Sequence, residues 1–190
     1  TKGRASRGLN ENYGRELMEL HTLGVDGGYT QDDVTEVARC FTGWTIRNLE
    51  RGGEYFFNPV MHDKGEKTVL GVKIPAGGGR EDGLKVLDIV AHHTSTARFI
   101  SRKLAQRFVA DNPPPALIEK MAKTFHDKDG DLREVMKTML NAPEFWSRGA
   151  FRSKVKSPLE LVAGSLRALN ADIDSGFALV QQIANLGEPL

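Results

Sequence analysis

Between Trp44 and Pro75 the apolar residues of this chain change period, and that change constrains the fold more than any other feature. Upstream, Val34, Val37, Ala38 and Phe41 recur three and four residues apart, which puts them on one face of an α-helix. Inside the window, "GWTI", "EYFFNP" and "KTVLGVKIP" are short and β-branched or aromatic. They are separated by "RNLERGG" and "HDKGEK", the pattern of short strands joined by turns. Downstream the spacing is helical again as far as Gly187. The chain therefore reads as mainly α, a multi-helix globular domain with a small antiparallel β insertion of two or three strands around residues 44–75. Helices over 10–43 and 82–187 flank the insertion in a single domain. The opening "TKGRASRG" reads as the start of the later part of a longer chain.

Helix signals place the individual elements. Asn10 can cap a first helix whose apolar residues Leu9, Tyr13, Leu17 and Leu20 share a face, with Gly24 just past its end. Thr30 and Asp33 have capping-box spacing, with Asp in place of Glu. Thr94 or Ser95 can start the helix whose inward stripe is Phe99, Ile100, Leu104 and Phe108. "NPPP" breaks the chain and presets the next helix, Asp129 or Asp131 caps the one after, and Pro158 opens another. "AGGGREDG" reads as plain linker, since a glycine run without the lysine and hydroxyl of a P-loop is weak evidence for phosphate binding.

Composition excludes several classes. Twenty-six Lys and Arg against 25 Asp and Glu give a net charge of +1, so no global field attracts nucleic acid or an anionic membrane, and any charged partner must be read by a local patch. The basic stretch "RGAFRSKVKSP" is one such patch, read as a solvated loop before a helix. The single cysteine, Cys40, excludes an internal disulfide and a cysteine-rich zinc site, and its place in "VARCF" makes it a buried small side chain. No window approaches the ~20 apolar residues of a spanning helix.

Glu16 is the unusual polar residue. On a helical wheel it falls about 60° from the centre of the Leu9–Tyr13–Leu17–Leu20 face, whereas Arg15 points almost opposite. A carboxylate that close to a core needs a partner, and the expectation is that Glu16 caps a neighbouring helix or meets a later arginine. Glu16 and Glu19 share a face, but His21 follows Glu19 by two, unlike the spacing of helical metal sites, so any metal needs His62, Asp63, His92 or His93 as well. Metal and cofactor stay unknown on this reading. His62 and Asp63 occupy a turn between strands, a common address for function and equally ordinary turn chemistry. His92 and His93 close a helix, where cations suit the dipole. "DKDGDL" fails the calcium-loop pattern at its glycine and final glutamate positions. No nucleophile elbow is present.

"LNENYGRELMELHTLGVDGGYTQDDVTEVARCFTGWTI" resembles the signature of the DUF-1800 family, large bacterial proteins of unknown function, as do "HDKGEKTVLG", "HHTSTARFISRKLAQRFV", "DGDLREVMKTMLNAPEF" and "KVKSPLELVAGSLRAL". The resemblance covers nearly the whole chain and implies a mostly helical fold that is the C-terminal part of the family domain. It also implies export to an extracytoplasmic location, with a second exported protein as partner; that nucleic acid is not a partner rests on the near-neutral charge instead. Asn12, Arg15, Glu16, Glu19, His21, Gly24, Tyr29, Asp33, Gly43 and Trp44 fall in the signature, as do His62, Asp63, Lys67 and Gly71. Two functions follow. The first is a helical scaffold or partner-binding protein, with Asn12, Arg15, Glu19 and Lys67 as binding candidates. The second is a hydrolytic or metal-assisted enzyme in which Glu16, His21, His62 and Asp63 converge as carboxylate and imidazole.

Overall fold

The structure, a computed structural model, describes residues 9–189. Helix α1 (Glu11–Glu16) starts at Asn10, whose side chain accepts from the Tyr13 N–H, and runs on as a π-helical turn over Leu17–Thr22. The Leu23 N–H donates to the Met18 carbonyl at 2.8 Å, five residues back, and Gly24 leaves the helix at φ +85°. Helix α2 (Gln31–Cys40) begins with a complete capping box between Thr30 and Asp33. Its Val34, Val37 and Ala38 are buried, as is Phe41 at its end. At Gly14 a Cβ would sit 2.8 Å from the Val34 carbonyl oxygen, so glycine is what lets α1 lie against the backbone of α2.

The β insertion is two separate hairpins rather than one sheet. Strands β1 (Trp44–Arg47) and β2 (Glu54–Phe57) pair antiparallel with Trp44 opposite Phe57, and β3 (Lys67–Val69) pairs with β4 (Val72–Ile74), Val69 opposite Val72. Helices α3 (Arg80–Ala91), α4 (Thr94–Phe108), α5 (Pro115–Asp127), α6 (Leu132–Asn141), α7 (Pro158–Ala168) and α8 (Phe177–Asn185) complete the described chain. The fold is mainly α with a small β insertion, as the change of period predicts. The "AGGGREDG" linker is shorter than expected, because Arg80, Glu81 and Asp82 already form the first turn of α3.

Two apolar cores organise these elements. One joins Met18, Leu23, Val34, Val37, Cys40, Val69, Ile74, Val86 and Val90, and so binds α1, α2, the β3–β4 hairpin and α3. The other joins Ala105, Val109, Leu117, Met121, Val135 and Met139 from α4, α5 and α6. Full burial of each large side chain contributes roughly 1.5–3 kcal/mol. Two stripes read from the sequence are turned relative to the real packing. In α1 the buried residues are Gly14 and Met18, while Tyr13 and Leu20 are about half exposed. In α4 the buried line is Thr96, Ala97, Ser101 and Ala105, and Phe108 faces out.

Candidate functional site

The loop between the two hairpins carries His62 and Asp63, and the start of β3 carries Lys67, into one polar network. Gly43, at φ +82°, lets that loop close: a Cβ there would lie 2.6 Å from the Asn58 carbonyl oxygen and 3.3 Å from His62 Cβ. His62 Nδ1 donates to the Thr42 carbonyl at 2.8 Å, and its Nε2 lies 3.1 Å from Asp82 Oδ2 in the first turn of α3. Lys67 reaches the same oxygen at 2.8 Å and donates also to the carbonyls of Asp63 and Gly65, which satisfies all three hydrogens of its ammonium. His62, Lys67 and Asp82 are all buried. A triple of this kind holds a loop shut, and its side chains are enclosed, with His62 1%, Lys67 0% and Asp82 5% exposed.

Asp63 takes a two-pronged hydrogen bond from Arg39 of α2, at 2.9 and 3.2 Å, and Arg39 also pairs with Glu36 at 2.7 Å. The guanidinium holds the Asp63 carboxyl down at about 2, and the two acids push the Arg39 pKa up. Asp33 binds the other hairpin. Burial by itself would raise its pKa, but the N–H groups of Thr30 and Leu70 and the Thr30 hydroxyl bring it below the usual carboxylate value. The Cys40 thiol lies in the apolar core beneath, and burial pushes it up to about 12, which makes it a packing residue.

The residues of α1 do not join this network. Asn12 and His21 are exposed, Arg15 donates to Gln31 at 2.6 Å, and Glu19 faces the Tyr29 hydroxyl at 3.5 Å. Glu16 is half-buried, and among the described residues it meets no arginine and caps no helix. The wheel errs first within α1 itself, where Gly14 rather than Tyr13 packs on α2, and the π-turn adds to this further on. Residues past Leu17 no longer follow 100° steps, and Gly14 with Met18, flanked by Leu17, is the side that faces the core, while Tyr13 and Leu20 turn outward. His92 caps the C-terminus of α3 and its Nε2 meets Asp129 at 2.7 Å, beside His126 around a cavity of about 410 Å³. His93 instead starts α4, accepting from the Ser95 N–H where Thr94 or Ser95 was the expected cap. Among the described residues no three His, Cys, Asp or Glu side chains gather in a way that could hold a metal ion. Asp131 caps α6, accepting from the N–H groups of Arg133 and Glu134.

Beside the sealed network lies an open cleft of about 490 Å³, large enough for a peptide side chain or a small ligand. Tyr13, Phe41, Trp44 and Tyr55 run along it as a chain of edge-to-face rings with centroids 5.1, 5.0 and 5.1 Å apart. Gly83 of α3 accommodates the indole, since a Cβ there would be 2.7 Å from Trp44. Ile46 and Met61 add apolar walls, and Asn10, Thr42 and Thr45 provide the polar atoms. Among the described residues, no carboxylate, imidazole, amine or guanidinium lines the cleft. Thr42 links cleft and network: its hydroxyl donates to the Arg39 carbonyl and accepts from the Asp63 N–H at 2.7 Å.

Asp82 and the cleft both escape the sequence reading. Asp82 looked like linker, although an acid three residues after glycine and just ahead of a helical stripe is a recognisable first-turn signal. The aromatic residues of the cleft come from α1, the end of α2, β1 and β2, and no local motif connects them. The sequence model of a family described as a protein of unknown function, DUF1800, matches residues 1–190, the whole chain. The chain belongs to the DUF1800 family. No curated protein and no solved structure matches it. Membership in DUF1800 brings no reaction with it, so the cleft and the network have to speak for function by their own chemistry.

Proposed function

We propose that this DUF1800 chain is a non-enzymatic, extracytoplasmic partner-binding protein and that the aromatic cleft is where an apolar side chain of a protein partner docks. The single observation behind this reading is the contrast between the two halves of the site. The groups able to do acid–base chemistry, His62, Lys67 and Asp82, are buried and spent on one another, whereas the described residues of the open cleft beside them are aromatic, apolar and neutral polar side chains, with tyrosine the one ionisable type among them. Tyr, Trp and Met on a concave surface, rimmed by hydroxyls and an amide, are what anchor-residue recognition uses. Strand β1 borders the cleft and belongs to a two-stranded sheet whose outer edges pair with no further strand among the described residues, so an extended partner segment can add main-chain hydrogen bonds while its side chain enters. Export, and a second exported protein as that partner, come from the family resemblance and remain part of the proposal. The hydrolytic or metal-assisted alternative has less to stand on, because Glu16 and His21 make no hydrogen bond to the His62–Asp63 loop.

The test is a titration with short extended peptides carrying single Leu, Phe or Trp anchors, followed by Trp44 fluorescence in a Trp146→Phe background. Saturable binding is expected with at least one anchor, weakened tenfold or more by Tyr55→Ala. No saturable response to any anchor, or an unaltered affinity in the Tyr55 variant, would sink the reading.

A further inference from the structure

Outside the cleft, residues 145–157, "FWSRGAFRSKVKS", follow α6 as turns as far as Arg152 and as irregular chain beyond it, and the side chains are distributed in an inverted way. Phe145 and Ala150 pack on the second core, yet Trp146 is 74% exposed, Phe151 72% and Val155 87%. A segment ordered for its own stability would bury the larger residue and expose the alanine. The segment is also firmly mounted. The Trp146 indole N–H donates to the Leu140 carbonyl at 2.7 Å, the Ser153 hydroxyl to the Val109 carbonyl at 2.8 Å, and Lys154 pairs with Asp111.

Charge is as uneven as exposure. Arg148, Arg152, Lys154 and Lys156 fall within this stretch and no Asp or Glu does, in a chain whose net charge is only +1. Among the described residues Arg148, Arg152 and Lys156 form no ion pair, while the acids at the segment's two ends are engaged elsewhere, Glu144 by Lys120 and Glu160 by Arg107. The Arg152 guanidinium instead lies over the Phe151 ring, 5.1 Å from its centroid. Exposed Trp, Phe and Val alternating with cations match an anionic lipid surface in both respects: the aromatic rings suit the headgroup level and the cations suit the phosphates. A single-stranded nucleic acid can stack on the two rings and a soluble acidic chain can use the cations, but only a bilayer interface also gives Val155 an apolar partner. No helix of the described residues is long and apolar enough to cross a membrane, so contact of this kind is with the surface.

We infer that the turn segment Trp146–Lys156 docks this protein on the surface of a bilayer containing anionic phospholipid, with Trp146, Phe151 and Val155 entering the interface. The test is flotation of the chain with vesicles of phosphatidylcholine and phosphatidylglycerol, compared with phosphatidylcholine alone. Three unpaired cations predict a preference of roughly a hundredfold for the anionic vesicles, falling as salt rises. Brominated acyl chains should quench Trp146, identified by loss of the signal in Trp146→Phe. Phe151→Ser with Val155→Ser should weaken binding tenfold or more, and Arg148→Glu with Arg152→Glu should remove the anionic preference; these positions are exposed, and circular dichroism checks the fold. Failure to float with anionic vesicles overturns the inference. So does binding that survives both pairs of substitutions, equally tight binding to a soluble polyanion, or a concentration-dependent dimer that shields Trp146 from brominated lipid. None of these outcomes depends on the aromatic cleft.

Discussion

Replacing Asp82 by asparagine removes one charge from the centre of the His62–Lys67–Asp82 triple while keeping its volume. In the native protein a single carboxylate oxygen accepts from Lys67 at 2.8 Å and faces His62 Nε2 at 3.1 Å, with both partners buried. Hydrogen bonds to charged groups contribute about 1.5–3 kcal/mol each, and breaking a buried pair by deleting one partner costs about 3–5 kcal/mol because the other charge is stranded. Asp82→Asn should therefore cost about 3–5 kcal/mol, a large share of the 5–15 kcal/mol that holds an ordinary domain together. With a urea dependence of about 2 kcal/mol per molar, the midpoint falls by on the order of 2 M. Equilibrium unfolding followed by circular dichroism gives the number. The companion variant Lys67→Met with Asp82→Leu removes both charges, and should be more stable than Asp82→Asn despite carrying two changes. A loss below about 1 kcal/mol for Asp82→Asn, or a double variant no better than the single one, would refute the assignment of this triple as the clamp of the loop.

Gly14→Ala should destabilise the protein by about 1–3 kcal/mol in the same urea assay, because the new methyl group meets the Val34 carbonyl oxygen at 2.8 Å and forces α1 off α2. An unchanged midpoint would mean that the two helices separate at little cost. The Asp63 carboxyl, held at about 2 by Arg39, is depressed relative to the unfolded chain, so its contribution is present above the ordinary carboxylate value and disappears as pH falls through about 2. Solvent around the pair screens this to about 1 kcal/mol, and Asp63→Asn should remove that much of the acid dependence of stability below pH ~4. His92 has the opposite sign. The Asp88 carbonyl and the Asp129 carboxylate raise its pKa, so its contribution is full below its ordinary value and fades as pH climbs through the raised one. His92→Gln should flatten the stability profile there.

Local rules carried the architecture. Thr30 with Asp33, and Asp131, cap helices as their spacing implies, and Pro158 opens one as expected, since such signals are satisfied within one turn of their own position. The face of a helix is set by its neighbours as well as by its own residues. Phe99 and Phe108 looked like the inner face of α4, but close approach of α5 selects the smaller residues Ala97, Ser101 and Ala105. The candidate site was half legible. His62, Asp63 and Lys67 lie close together in the sequence and meet in space, whereas Glu16 and His21 were drawn to them by residue type alone. Asp82 and the ring chain depend on contacts between distant segments, and no spacing in a linear pattern encodes those.

Helix α4 has a mechanical meaning that its packing alone does not state. Its N-terminal half lies against α3 and the π-turn of the first core, and its C-terminal half contributes Ala105 to the second. Fifteen residues at 1.5 Å each make a rod of about 22 Å. A tilt of about 10° at one end thus displaces the other by about 4 Å. The helix spans from the half of the molecule that holds the aromatic cleft to the half that presents Trp146, so the distance between the two surfaces is set by how this one rod is seated in each core.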